Sequence, residues 1–200
     1  RTEERLEELA EAQKRTEERL ARLEAVVEKI AEGLQSAVAR LDAMSITQQR
    51  LVDTVGGMRG RLLELAYREK AGAYFGRLLR HLKVIEPHAL DEKLEATLSR
   101  EEFEDVLLLD LLVTGQPRYQ TDLREVWLAI EVSSVVDEGD VERAKRRAEL
   151  LRRAGYRALP TVAGEHLTLR AEDAARTGKV VVLQDGRSFL WEEALKAWAA

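Results

Sequence analysis

The feature that most restricts this chain is a heptad repeat running through its first 58 residues. Counting position a from Leu6 places Leu20, Val27, Leu34, Leu41 and Val55 at a. Position d then holds Leu9, Leu23, Ile30, Ala37, Met44, Leu51 and Met58. The opening Arg1-Thr2-Glu3-Glu4-Arg5-Leu6 returns as Arg15-Thr16-Glu17-Glu18-Arg19-Leu20, two heptads later. An unbroken 3.5-residue period imposes a left-handed supercoil on partnered helices. One helix cannot bury such a stripe alone and needs a partner chain or a second helix from elsewhere; a coiled-coil homo-oligomer, parallel or antiparallel, is expected. Residues 2 to 55 would span roughly 80 Å as a helix. Gln13, Thr16 and Gln48 interrupt the seam. Polar residues there fix register or oligomer state at some cost in stability.

Gly56, Gly57 and Gly60 weaken helix propensity by about 1 kcal/mol each relative to alanine. They mark a joint, or a weakened turn in a helix that restarts at once or never fully breaks. The expected organisation is an oligomerisation helix over residues 1–57 and a second domain over 58–200.

Past this joint the apolar period changes. Leu62, Leu65, Ala66, Ala73, Leu79 and Leu82 share a broad face, so 61–83 reads as helix, with a short helix or loop at 91–98. Val106 to Val113 is nearly continuous apolar sequence, and so is Val126 to Val132. Such runs fit strands buried on both faces. Asp137 to Ala154 reads as helix, with acids in its first turn and Gly155 just past its end. Further strands are expected at 157–163 and 179–184, with a short helix between them and a last helix at 191–199. The fold class is therefore α/β (α+β): a long N-terminal coiled-coil helix, then a small mixed sheet flanked by helices.

Composition removes several chemistries. There is no cysteine, so disulfides, zinc thiolates and thiol nucleophiles are excluded. His81, His88 and His166 lack metal-ligand spacing. Ser133-Ser134 lacks a nucleophile-elbow frame, and the glycines at 56–60 lack the Lys-Ser/Thr ending of a phosphate loop. No apolar run reaches the roughly 20 residues of a membrane span, so no membrane partner and a cytoplasmic location are expected. Asparagine is absent and arginine far exceeds lysine, a thermophile tendency that genome base composition also produces.

The informative residues are two acids inside apolar runs, Asp110 and Glu131. A carboxylate buried alone costs several kcal/mol. Either each meets an arginine or water at a strand end, or the two share a divalent cation. Mg²⁺ and Mn²⁺ favour carboxylate and carbonyl oxygens.

An acid in one strand, a second acid in the next and a helix after it resemble the PD-(D/E)XK nuclease superfamily. The chain also looks like bacterial proteins of unknown function that join a coiled coil to such a domain. The resemblance is carried by Val55-Gly56-Gly57, the stretch Gly60 to Arg68, the strand with Asp110, and Glu131-Val132-Ser133-Ser134. It implies a restriction-endonuclease-like fold. It implies that Asp110, Glu131 and the Val132 carbonyl bind Mg²⁺ or Mn²⁺, with Glu64, or less readily Glu69, as the acid of the first helix. The motif lysine falls on Ser133, a departure. Either Lys145, about 40° around the helix from Val141, replaces it, or the site is degenerate.

Residues 143–157 hold seven basic side chains against Glu149 alone. Arg143, Arg146, Arg147 and Arg153 are expected to point away from the buried face and to contact a DNA backbone, unless they form an ordinary solvated face. Arg77, Arg80, His81 and Lys83 form a smaller cluster. The functional expectation is a metal-dependent nuclease or nuclease-derived DNA-binding module held as an oligomer. The alternative is an inactive coiled-coil interaction or scaffold protein.

Overall fold

The computed structural model describes residues 2–120, 125–184 and 186–199, with the side chains of 3–7 outside that description. The assignment of Leu6 to position a therefore lies outside the described residues, as do residues 121–124 between the two apolar runs. The chain forms two compact units, Arg1–Thr54 and Val55–Ala200.

The first unit belongs to helix α1, Thr2–Glu69. Its seam side chains are exposed: Leu20 is 53% accessible, Ile30 63%, Leu34 65% and Leu41 65%. The glycines at 56, 57 and 60 lie within the helix and do not break it. They lack side chains but keep their N–H groups, so the hydrogen-bond ladder continues at an entropic cost only.

The second unit is a mixed α/β fold. After α1 come α2 (Ala71–Phe75), β1 (Leu79–Ile85), a 3₁₀ turn (Pro87–Leu90), α3 (Asp91–Glu95) and α4 (Arg100–Leu107). Then follow β2 (Leu111–Pro117), β3 (Val126–Val136), α5 (Glu138–Arg153), β4 (Ala158–Leu167), α6 (Leu169–Gly178), β5 (Val181–Gln184), β6 (Arg187–Phe189) and α7 (Trp191–Trp198). The six strands lie in sequence order in one sheet. β1, β2 and β3 form an antiparallel meander, β3–β4 and β4–β5 are parallel, and β6 returns antiparallel.

Two expectations change. Residues 61–83 are not one helix, because α1 ends at Glu69 and Leu79–Ile85 is an edge strand. Residues 106–113 are not one strand either. Val106 and Leu107 close α4, and the strand begins at Leu111. Asp110 therefore stands just before a strand, not inside it.

Even-numbered β3 residues Val126, Leu128 and Ile130 pack with Leu111, Val113, Phe75 and Leu195 on one sheet face. Odd-numbered Trp127 and Ala129 pack with Leu112, Ala148 and Leu151 on the other, under α5. Glu131 continues that odd-numbered row.

Candidate functional site

The β2–β3 ladder ends at the pair Leu111 and Ile130. Asp110 and Glu131 are the next residues outward on each strand, so they stand across from one another at its open end. Asp110 is fixed by the backbone: the Val132 N–H donates to its Oδ2 at 2.7 Å. The N–H and C=O of one strand residue point to the same side, so the Val132 carbonyl faces this opening too. Burial raises the Asp110 pKa, the Val132 hydrogen bond opposes it, and nearby Glu64 raises it further. Glu64 itself pairs with Arg68, 3.2 Å away. Arg68 also pairs with Glu86 and donates to the Asp110 carbonyl at 2.9 Å. Glu64 thus acts on the charge of Asp110, and Asp110 on that of Glu131; Glu69 is exposed at the end of α1.

Glu131 is 4% exposed, and both of its oxygens meet guanidinium groups of α5. Arg147 Nη1 donates to Oε1 at 2.5 Å, and Arg143 Nε donates to Oε2 at 3.3 Å. Burial outweighs these contacts and pushes the Glu131 pKa up to about 6, with negative Asp110 adding to the rise.

The helix that supplies both arginines starts on a reciprocal cap. Asp137 accepts from the Asp140 N–H and Asp140 accepts from the Asp137 N–H, each at 2.9 Å. Asp140 also pairs with Arg143.

Several expected roles land elsewhere. Arg147 does not project from the surface. It is 5% exposed, and it donates to Asp105 at 3.1 Å and to the Leu108 carbonyl at 2.9 Å as well as to Glu131. Burying a guanidinium requires that saturation. Arg146 grips Asp105 through two hydrogen bonds, and Arg153 grips Glu102 likewise. Arg143 bridges Glu131 and Asp140. The four α5 arginines expected at a DNA backbone are thus all held by carboxylates within the chain.

Lys145 turns the other way. It pairs with Glu142 at 3.1 Å and lies against Gly178 of α6. The Ser133 hydroxyl donates to the Val135 carbonyl at 2.9 Å. Ser133 is paired across to Gly164, where an added Cβ would lie 2.4 Å from the Ser133 carbonyl oxygen. That close approach requires glycine.

Among the described residues, no three His, Cys, Asp or Glu side chains are grouped to hold a metal ion. What the site offers is two carboxylates and one carbonyl. These are hard oxygen donors suited to Mg²⁺ or Mn²⁺. Asp110 Oδ1 carries no hydrogen bond among the described residues. Glu131 Oε2 has only the long contact to Arg143, whose side chain is 43% exposed and also pairs with Asp140. Arg147 holds Glu131 Oε1. Sequence reasoning missed Arg68 and the inward turn of Arg147. No family model, no curated protein and no solved structure matches the chain.

Proposed function

We propose that the Val55–Ala200 unit is a PD-(D/E)XK-like nuclease module, acting on phosphodiester bonds with Mg²⁺ or Mn²⁺ and carried as a homo-oligomer by the α1 heptads. The observation that carries this reading is the Asp110 carboxylate, held by the Val132 N–H directly across from buried Glu131. Asp110 Oδ1, Glu131 Oε2 and the Val132 carbonyl would hold the ion. A bound cation of this kind lowers the pKa of its water and offsets charge developing on the phosphate.

The remaining roles fall to the protein. Arg147 keeps Glu131 oriented from below. Glu64, close enough to act on Asp110, adds the acid of the first helix. Ser133 supplies a hydroxyl without charge. Lys145 pairs with Glu142 beside α6, so the positive charge at Glu131 comes from Arg143 and Arg147.

One observation favours a second reading, an inactive interaction or scaffold protein. Glu131 already has a guanidinium on each oxygen, as a relic site would. Incubation with plasmid and Mn²⁺ or Mg²⁺ separates the two. Cleavage by the wild type that Glu131→Ala abolishes and Lys145→Ala leaves unchanged is the expected result. No cleavage by the folded wild type under either metal would establish the scaffold reading instead.

A further inference from the structure

With the α5 arginines committed to acids, uncompensated positive charge gathers elsewhere. Residues 70–85 contain Lys70, Arg77, Arg80, His81 and Lys83 and no acid; residues 111–120 contain Arg118 and no acid. In a chain where acids outnumber basic residues 37 to 32, that segregation is not the average surface. The fold places the two stretches side by side. β1 is an edge strand, and it pairs antiparallel with β2, bringing Arg80 opposite Gln116 and Lys83 opposite Thr114.

Arg77 and Lys83 are exposed and have no hydrogen bond or ion pair among the described residues. Arg80 donates to the Arg118 carbonyl at 3.0 Å, and Arg118 donates to the Gly76 carbonyl at 2.9 and 2.6 Å. Carbonyls orient these guanidiniums without neutralising them. Tyr119, next to Arg118, is 83% exposed.

Lysines and bulges on edge strands also deter strand-to-strand aggregation, and β1 has both: its register shifts between Arg80 and Lys83. That account covers β1 alone. It leaves Arg77 and Tyr119, which lie off the strand, without a reason. The bulge also unfits β1 for adding another strand, which favours a ligand recognised by charge.

We propose that the β1 edge, through Arg77, Arg80, Lys83, Arg118 and Tyr119, is a nucleic-acid-binding surface. The cations meet backbone phosphates and the Tyr119 ring stacks on an unpaired base. The identity of the polyanion rests on the nuclease-like reading; the surface itself rests on charge and exposure.

The test is fluorescence anisotropy of the full chain with a labelled single-stranded 20-mer and its duplex, in EDTA. R77E/K83E removes no intramolecular bond among the described residues. It should weaken binding at least tenfold and reduce the salt-dependence slope by about 2, roughly 0.9 per phosphate contact. Tyr119→Ala should weaken the single strand several-fold more than the duplex. R146A/R153A should stay within twofold of wild type. If thermal melting shows R77E/K83E unfolded, R77Q/K83Q must still weaken binding at least threefold. Unchanged affinity in the β1 variants, a tenfold loss in R146A/R153A instead, or binding of phosphatidylserine vesicles without binding of DNA would each overturn the proposal. Because no metal is present, loss of the nuclease reading appears separately, as intact DNA binding without Mn²⁺-dependent cutting.

Discussion

Glu131 is held between two opposing demands. Its burial favours the neutral acid, and its two guanidinium neighbours favour the anion. Burial prevails and lifts the pKa from 4.5 to about 6. The folded state then binds more protons than the unfolded chain between these values. The resulting stabilisation is fully present below pH 4.5 and is lost as pH rises through 6. The expected size is about 2 kcal/mol. Denaturant unfolding of wild type and Glu131→Gln measures it: the difference in stability between them should shift by about that amount against the wild type from pH 4.5 to 7. A constant difference would place the Glu131 pKa near its ordinary value. Both acids were legible in the sequence because a carboxylate stands out in an apolar run. Their partners were not. On α5, with Val141, Ala144, Ala148 and Leu151 buried, helix geometry puts Lys145 and Arg147 about 80° to either side of that face. Sequence alone cannot break this symmetry. The docking of α5 does, turning Arg147 toward Glu131 and Asp105 and Lys145 toward α6.

At the scale of the element, α5 determines the geometry of the site, since it carries both arginines. Its start depends on the Asp137–Asp140 cap, and Asp140 also holds Arg143. Asp137→Ala should therefore cost about 1 kcal/mol of stability in urea unfolding; a variant as stable as wild type would show the cap to be dispensable. The capping acids and Gly155 made this helix readable. Two other elements were misread for identifiable reasons. In β1, the register shift between Arg80 and Lys83 and the positive φ of 52° at His81 destroy the alternation by which a strand is recognised. Leu79 and Leu82 then fall at helical spacing. In α4, the apolar run Val106–Leu109 imitates a buried strand. The helix is fixed by the Ser99–Glu102 capping box and by Arg146 and Arg147, which reach Asp105 and the Leu108 carbonyl from about forty residues away. Contacts at that separation leave no local pattern.

At the scale of the whole molecule, the two units solve burial differently. Val55–Ala200 builds three buried apolar clusters of its own, although Leu62, Leu108 and Leu169 stay exposed. Arg1–Thr54 does not: Leu9, Leu20, Leu23, Val27, Ile30 and Leu34 are each more than half exposed. The stripe is also broader than the a and d positions, because Val26, Val38 and Val52 on its flanks are exposed as well. A helix so placed gains little from its own hydrogen bonds, since most helical stability in water comes from packing an amphipathic face. Each large apolar side chain buried against a second copy would contribute about 1.5–3 kcal/mol, before the entropy of association. The heptads therefore predict that the full chain self-associates, and sedimentation equilibrium should return a multiple of 22.7 kDa. Leu34→Glu combined with Leu41→Glu puts a charge into two successive a positions of every copy, where like charges would meet. The mass should fall toward that of one chain, and the helical circular dichroism signal should drop with it, while tryptophan fluorescence should hold steady because Trp127, Trp191 and Trp198 all lie in the other unit. A wild-type chain that sediments as a monomer at tens of micromolar would remove the oligomer from the proposed function and leave the Asp110–Glu131 site to be judged on its own chemistry.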